Sequence, residues 1–333
     1  MMSQTLLDLA KVIRSKNAGP FEVTFDIMQF ASPVTARTYS DRAVDRSWSE
    51  WSAENLMPAG KDVVDIGCGG GIYSRGFAAL GARSVIGVDK TAQYVGEASS
   101  GVTHDGAITF RSGDAGATTL PDASADIVFE RAVIHHLSEA QLARNAVEAR
   151  RLLRAGGSFV VQDRTIEDVE SVAPQHWIRA TLFEAFPRLI EFERHRRPIR
   201  QRYSDLLTDT GFREVRELQY DEVRRRYASF DDLRAEIRSR KGKSILFELT
   251  DAELESYCER LEDKARDHGH AGIRSVLCHG PDRRRRESHR VHDRPRLVLR
   301  REARAFVQAR DEYADVSTPR RGHVSDVGQS LDR

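Results

Sequence analysis

VVDIGCGGGIYS, from Val63 to Ser74, is an apolar run that breaks into four glycines within five residues. The β-branched residues before the break read as a buried strand. The glycines after it permit a sharp turn and a close approach of the backbone to whatever lies above the strand end. A helix starting near Tyr73 would aim its free amide N–H groups at the same point. Gly67 and Gly69 serve the turn and the approach, and Gly71 serves close packing of the helix. A dinucleotide fingerprint asks for glycines at 67, 69 and 72, but position 72 is Ile, leaving the pattern Asp-x-Gly-x-Gly-x-Gly.

Outward from this loop, residues 62–164 alternate short β-branched runs with helical patterns, the mark of a parallel sheet built from βα units. The strands are predicted at Asp62–Ile66, Ser84–Val88, Ala107–Arg111, Ala125–Phe129 and Ser158–Gln162. Between the last two, Ser138 and Gln141 form a capping box that opens a helix, and Gly156-Gly157 is expected to close it. Leu142, Ala146, Ala149, Leu152 and Leu153 recur along it at helical spacing.

A chain of 333 residues with 40% hydrophobic content can bury a large α/β core. Its three cysteines, Cys68, Cys258 and Cys278, are widely spaced and contain no CxxC pair, so neither a disulfide framework nor a zinc site is expected. A reducing, cytoplasmic setting fits that usage. Residues 1–17 carry apolar side chains at helical spacing, but the stretch is too short and too charged for a membrane span and lacks a signal-peptide pattern. The net charge of +1 hides an asymmetry: residues 1–280 hold 38 Lys+Arg against 42 Asp+Glu, and 281–333 hold 14 Arg, no Lys and 9 acids.

The ordered set of motifs resembles the class I S-adenosylmethionine-dependent methyltransferases, in the small-molecule branch that includes the ubiquinone and menaquinone C-methyltransferases. DIGCGGG at 65–71 is similar to the family's cofactor loop, and VIGVD at 85–89 ends the second strand in Asp89. SGDA at 112–115 follows the third strand, DIVFERAVIHHL at 126–137 covers the fourth, and LLRAGGSFVVQD at 152–163 leads through the fifth. The resemblance implies an α/β, Rossmann-like, doubly wound and mostly parallel sheet. It also implies a helical N-terminal lid (1–55), a cofactor-binding core (56–165), and a helical substrate-cap insertion after the fifth strand followed by the C-terminal part of the α/β domain (166–280). QDR at 162–164, FEAFPRL at 183–189 and RKGKSILFEL at 240–249 are similar to a bacterial subgroup of this family.

The implied cofactor is S-adenosyl-L-methionine, and the implied partner is a small-molecule methyl acceptor. Asp65, Gly67, Cys68, Gly69, Gly71, Asp89, Lys90, Asp114, Ala115 and Arg131 are the expected cofactor-binding positions. A carboxylate at Asp89 offers two acceptor oxygens to the ribose hydroxyls, and Asp114 would accept the adenine amino group. Asp65 orders the loop or meets the methionine ammonium indirectly. Arg131 lies near the methionine end or the substrate. Because the methyl group is already electrophilic, the protein must chiefly align the acceptor and exclude water, with a base needed only where the acceptor atom loses a proton. His135, His136 and Asp163 are the candidates for that base, and Arg164, His176 and Arg179 for substrate contacts. No metal is expected.

Three alternatives carry weight against this reading. A nicotinamide oxidoreductase would leave Asp114 without a task. A macromolecular methyltransferase gains from the basic tail, but FERAV after the fourth strand is not the Asn-Pro-Pro-aromatic pattern of nucleobase methylation, and the body is acidic where an RNA binder should be basic. A non-catalytic cofactor-binding module is the third. Residues 281–333 read as a disordered end or as translation in a shifted frame. Relatives of this type end with a strand inserted between the fifth and sixth, which only Ser275–Cys278 or Arg296–Arg300 could supply; without it two strand edges stay unpaired.

Overall fold

Asp62–Ile66 forms β1, and the β-branched runs after it form β2 (Ser84–Asp89), β3 (Ile108–Ser112), β4 (Ala125–Arg131) and β5 (Leu153–Asp163). The computed structural model describes residues 44–100, 106–171, 176–227, 229–240, 243–267 and 297–309, the last as backbone. Two further strands, β6 (Glu214–Tyr227) and β7 (Leu297–Ala309), complete a seven-stranded sheet in the order β3-β2-β1-β4-β5-β7-β6. β1 to β5 pair in parallel, and β7 runs antiparallel to both its neighbours.

Helices cover both faces, which is what a parallel sheet buried on each side requires. They are α1 (Arg46–Asn55), α2 (Ile72–Ala79), α3 (Ala92–Ser100), α4 (Glu139–Leu152), α5 (Ile166–Glu170), α6 (Trp177–Ala185), α7 (Arg188–Arg196), α8 (Arg200–Asp209), α9 (Phe230–Arg238) and α10 (Asp251–Asp267). Side-chain alternation along the strands divides the core. Val64, Ile66, Val128, Phe159 and Val161 pack with Leu142, Ala146 and Leu152 of α4 and with Tyr203 and Leu207 of α8. Val63, Val85, Ile127, Phe129 and Val160 face the other way, against Trp48 of α1 and Phe77 of α2. A separate cluster, including Leu182, Leu189, Leu233, Ile237, Leu254 and Leu261, gives the insertion a core of its own. Trp177, Phe183 and Phe186, the aromatic set of the insertion, pack against it.

The capping box is present: the Ser138 hydroxyl accepts from Gln141 N, and Gln141 Oε1 accepts from Ser138 N at 2.8 Å. The helix it opens ends at Leu152, four residues before the glycines expected to close it. Leu153 is already extended, and the strand contains Gly156, whose φ of +80° serves an irregularity in the β4–β5 pairing rather than a helix cap. Gly211, at φ +97°, does follow a helix end, that of α8.

The doubtful last strand exists. β7 fills the gap beside β5, with Val160 opposite Val307 and Asp163 opposite Arg304, and Arg296–Arg300 overlaps only its start. β7 lies within the Arg-rich stretch read as a disordered end or a shifted frame, and a strand between two others gains backbone hydrogen bonds on both edges whatever its side chains. Ser275–Cys278 and the rest of the tail lie outside the described residues, as do residues 1–43 of the expected lid, of which α1 is described.

The register sets the site. Ile66 lies opposite Val88 and Glu130, Asp89 opposite Ser112, and Arg131 opposite Gln162, so the carboxyl ends of all five parallel strands finish along one edge. In open α/β sheets ligands bind outside that edge.

Candidate active site

The glycine loop joins β1 to α2 at this edge. Gly67 N and Cys68 N donate to Val88 O at 2.7 and 3.1 Å, which turns the chain back over β2. Gly67 has φ +70°, and a Cβ there would stand 2.3 Å from Val133 Cγ2, so this glycine lets the loop meet the turn after β4. Gly71, at φ +77°, starts α2, and a Cβ on it would stand 2.5 Å from the Phe110 ring. Gly69 differs: φ is +52°, and nothing lies within 4 Å of its would-be Cβ. Its open side is where a ligand can approach the backbone.

Two carboxylates hold the loop. Gly69 N donates to Asp89 Oδ2 and Thr91 N to Asp89 Oδ1, each at 2.9 Å. Burial pushes the Asp89 carboxyl up, against the two amides and Lys90, which is exposed beside it. Asp65, fully buried on β1, accepts from Ser74 Oγ at 2.6 Å; burial pushes its carboxyl up to about 7, with the nearby Asp89 adding to the effect. Asp65 therefore orders the loop and the first turn of α2. Cys68 is buried beneath the loop, and its thiol is pushed up by burial and by both carboxylates.

Asp114 is exposed after β3, with Oδ1 taking Gly116 N at 2.9 Å. The carbonyl of Ala115 takes Asn145 Nδ2 at 3.2 Å, and the same nitrogen donates to Glu130 Oε1 at 2.5 Å. Glu130 is a residue that sequence reasoning missed. Burial, assisted by Asp163 and Asp65, raises its carboxyl to about 8, so at neutral pH it is a neutral acid. Nothing in FERAV distinguishes it from a solvated strand end.

Past β4, Ala132 adopts φ +55°, a conformation unfavourable for a residue with a Cβ, and its N–H donates to Gln162 O at 3.0 Å. The short 3-10 turn Ile134–His136 then places His135 inside the sheet edge. His135 Nδ1 lies 2.6 Å from Asp163 Oδ2, and both groups are buried. Burial pushes the imidazole down to about 4, with Asp163 opposing and Arg197 assisting. The ring is therefore neutral at pH 7, and with a carboxylate at Nδ1 that nitrogen carries the proton, leaving Nε2 as the acceptor. The His136 ring lies against it, centroids 4.1 Å apart and planes tilted by 44°, and burial pushes it well below the ordinary histidine range.

Behind the dyad lies an ion network on α7. Arg197 Nη1 donates to Asp163 Oδ1 at 3.1 Å and to Arg164 O at 2.9 Å, and Arg197 Nε donates to Glu193. Glu193 also accepts from Arg196, which reaches Ser244 Oγ at 2.7 Å. Asp163, Glu193, Arg196 and Arg197 are all buried, a setting in which each charge depends on its partner. The network has a sequence signal: Glu193 stands three and four residues before Arg196 and Arg197, about one helical turn from each.

Of the substrate candidates, Arg164 stands next to the dyad, its N–H on Asp163 Oδ1 at 2.8 Å. His176 is buried at the start of α6. Arg179 spends its Nη2 on the carbonyls of Asp168, at 2.8 Å, and Ser171, at 3.4 Å, so it braces α6 against the end of α5. Arg131 Nη1 donates to Gln162 Oε1 at 2.9 Å, and its guanidinium lies 4.5 Å from the centre of the Tyr73 ring in the first turn of α2. Among the described residues no group of three His, Cys, Asp or Glu side chains could hold a metal ion, and no helix is long and apolar enough to cross a membrane.

A sequence profile for the family described as a methyltransferase domain matches residues 64–161, and another, for a domain of unknown function, matches residues 6–49. The chain is 29% identical over 153 residues to a 2-methyl-6-phytyl-1,4-hydroquinone methyltransferase of Synechocystis sp., a match covering 44% of this chain and 46% of that one. A ubiquinone biosynthesis O-methyltransferase of Paraburkholderia phytofirmans is 48% identical over 61 residues, 17% of this chain and 26% of its own. The chain thus spans less than half the length of these curated relatives. Among solved structures, a protein described as a methyltransferase from an antibiotic biosynthesis pathway of Anabaena variabilis superposes with a TM-score of 0.57 at 21% identity, over 80% of this chain and 99% of that one. That likeness is one of fold.

Proposed function

We propose that the chain, whose residues 64–161 match the methyltransferase-domain profile, is a class I S-adenosylmethionine-dependent methyltransferase that methylates a small molecule whose accepting atom must give up a proton. The observation that carries the second half is the buried His135–Asp163 pair, 2.6 Å apart at the carboxyl ends of β4 and β5.

The residues present fit the cofactor. Gly69 offers backbone with open space beside it, α2 points its N-terminus at the loop, and the Asp89 carboxyl, with about four acceptor sites, keeps capacity for a ribose hydroxyl beside the two amides and the Thr91 hydroxyl. Asp114 and the Ala115 backbone would flank the adenine, and Arg131 the anionic methionine end. When bound, the cofactor supplies an electrophilic sulfonium methyl group.

The chain's own part is alignment and proton handling. The bound cofactor would supply the methyl group to the acceptor's lone pair and would keep the carbon–sulfur electron pair, so no protein nucleophile is needed. The acceptor's proton passes to His135 Nε2. Asp163 holds the ring by its Nδ1–H and stabilises the imidazolium that forms, and Arg197 donates to the other oxygen of Asp163. The likeness to a hydroquinone methyltransferase and to a ubiquinone biosynthesis O-methyltransferase supports an aromatic hydroxyl as the first acceptor class to test.

Calorimetry with S-adenosyl-L-methionine, followed by labelled methyl transfer to a panel of hydroquinones, phenols and amines, tests the reading. Saturable binding with transfer to at least one of these acceptors is expected; absence of cofactor binding would overturn it.

A further inference from the structure

Gln162 uses both of its oxygens on the end of β4 and the turn that follows it. Its backbone carbonyl takes Ala132 N at 3.0 Å, and its side-chain Oε1 takes Arg131 Nη1 at 2.9 Å. The same Oε1 accepts Trp48 Nε1 of α1 at 3.0 Å. Gln162 and Trp48 are both buried. With two N–H donors converging on one oxygen, the amide has one orientation, and the guanidinium it holds is pressed over Tyr73, at the N-terminal turn of α2. Trp48 itself is seated by an absence: a Cβ on Gly76, in the middle of α2, would stand 2.8 Å from its ring.

We infer that Gln162 is a positioning residue that aims Arg131 at the carboxylate of the cofactor's methionine end, and that α1 is tied into the same hydrogen-bond set through Trp48. The inference rests on the cofactor reading given above and deepens it. A guanidinium and a helix N-terminus brought to one point select an anion, and the methionine end of the cofactor presents one. The seating of α1 then bears on cofactor affinity although α1 need not touch the cofactor.

The test uses the full chain and two probes, S-adenosyl-L-methionine and its decarboxylated analogue, titrated by calorimetry. Gln162→Met keeps the side-chain length and removes the acceptor; it should weaken binding of S-adenosyl-L-methionine about tenfold, the loss of one charge-assisted contact. Binding of the decarboxylated analogue should change less than about twofold, because the contact it lacks is the one removed. Gln162→Glu, which keeps an acceptor for both donors, should restore affinity, and Trp48→Phe should give a smaller loss with the same dependence on the carboxylate. Equal losses for both probes would mark Gln162 as merely structural and overturn the inference, as would unchanged affinity in Gln162→Met. Should Gln162→Met fail to fold, the Trp48→Phe comparison decides by the same criterion. If the unmodified chain binds the decarboxylated analogue as tightly as the parent compound, the cofactor reading stands and the inference falls; if it binds neither, both fall.

Discussion

The Asp89 carboxylate latches the glycine loop: Gly69 N donates to its Oδ2 at 2.9 Å while Thr91 N holds Oδ1 at the same distance. One side chain thus shapes the loop and, on the proposed reading, meets the ribose. Asp89→Ala should weaken binding of S-adenosyl-L-methionine by about 1–3 kcal/mol, the worth of lost hydrogen bonds to a charged group. Calorimetry reads this directly, and an unchanged affinity would remove Asp89 from the site.

Gly67 and Gly69 should separate stability from binding. Gly67→Ala sets a methyl 2.3 Å from Val133 Cγ2 at a positive φ, and should lower stability by about 2–5 kcal/mol from overpacking and backbone strain together. Gly69→Ala meets no atom within 4 Å, so its cost in stability is the backbone term, roughly 1–2 kcal/mol, but its methyl enters the space assigned to the ligand. Denaturant titration should rank Gly67→Ala as the less stable; calorimetry should find Gly69→Ala folded and impaired in cofactor binding.

The dyad is tested by rate. His135→Gln should lower kcat for a protonated acceptor by roughly 10²–10⁴, the range for loss of a general base, with cofactor affinity preserved. His136→Gln should leave kcat within about threefold, because it is the His135 ring that faces Asp163. The reverse ranking would move the base to His136.

Buried groups tie stability to pH. Glu130, raised from 4.5 to about 8, and Asp65, raised from 3.8 to about 7, keep protons in the native state that the unfolded chain releases. Their contribution is complete at low pH and is lost as pH rises through those values. His135, lowered from 6.5 to about 4, works the other way, its contribution appearing as pH rises toward 6.5. Between pH 6.5 and 8 the two carboxyls therefore act without that offset, and stability should fall. Glu130→Gln keeps the hydrogen-bonding shape of a neutral acid and should remove about 2 kcal/mol of the fall. Chemical denaturation at pH 6.5 and 8 measures it; an equal fall in wild type and variant would show that Glu130 is ionised at neutral pH.

By itself the sequence determined the parallel core and its ligand edge. β-branched runs, the Gly-x-Gly-x-Gly loop with Ile72 where a dinucleotide fingerprint needs glycine, and the Ser138–Gln141 box are local signals, and each acts through the conformations of a few adjacent residues. That is why β1 and the start of α4 fall where they were expected. The tertiary structure decided everything that depends on residues far apart in the chain meeting. His135 and Asp163 become a dyad because β4 and β5 end side by side, and Gln162 joins Arg131 to Trp48 across 31 and 114 positions of sequence. Glu130 is held neutral by a depth of burial that no neighbour in FERAV announces. β7 enters the sheet because its backbone finds partners in β5 and β6, and main-chain hydrogen bonding leaves no mark in composition.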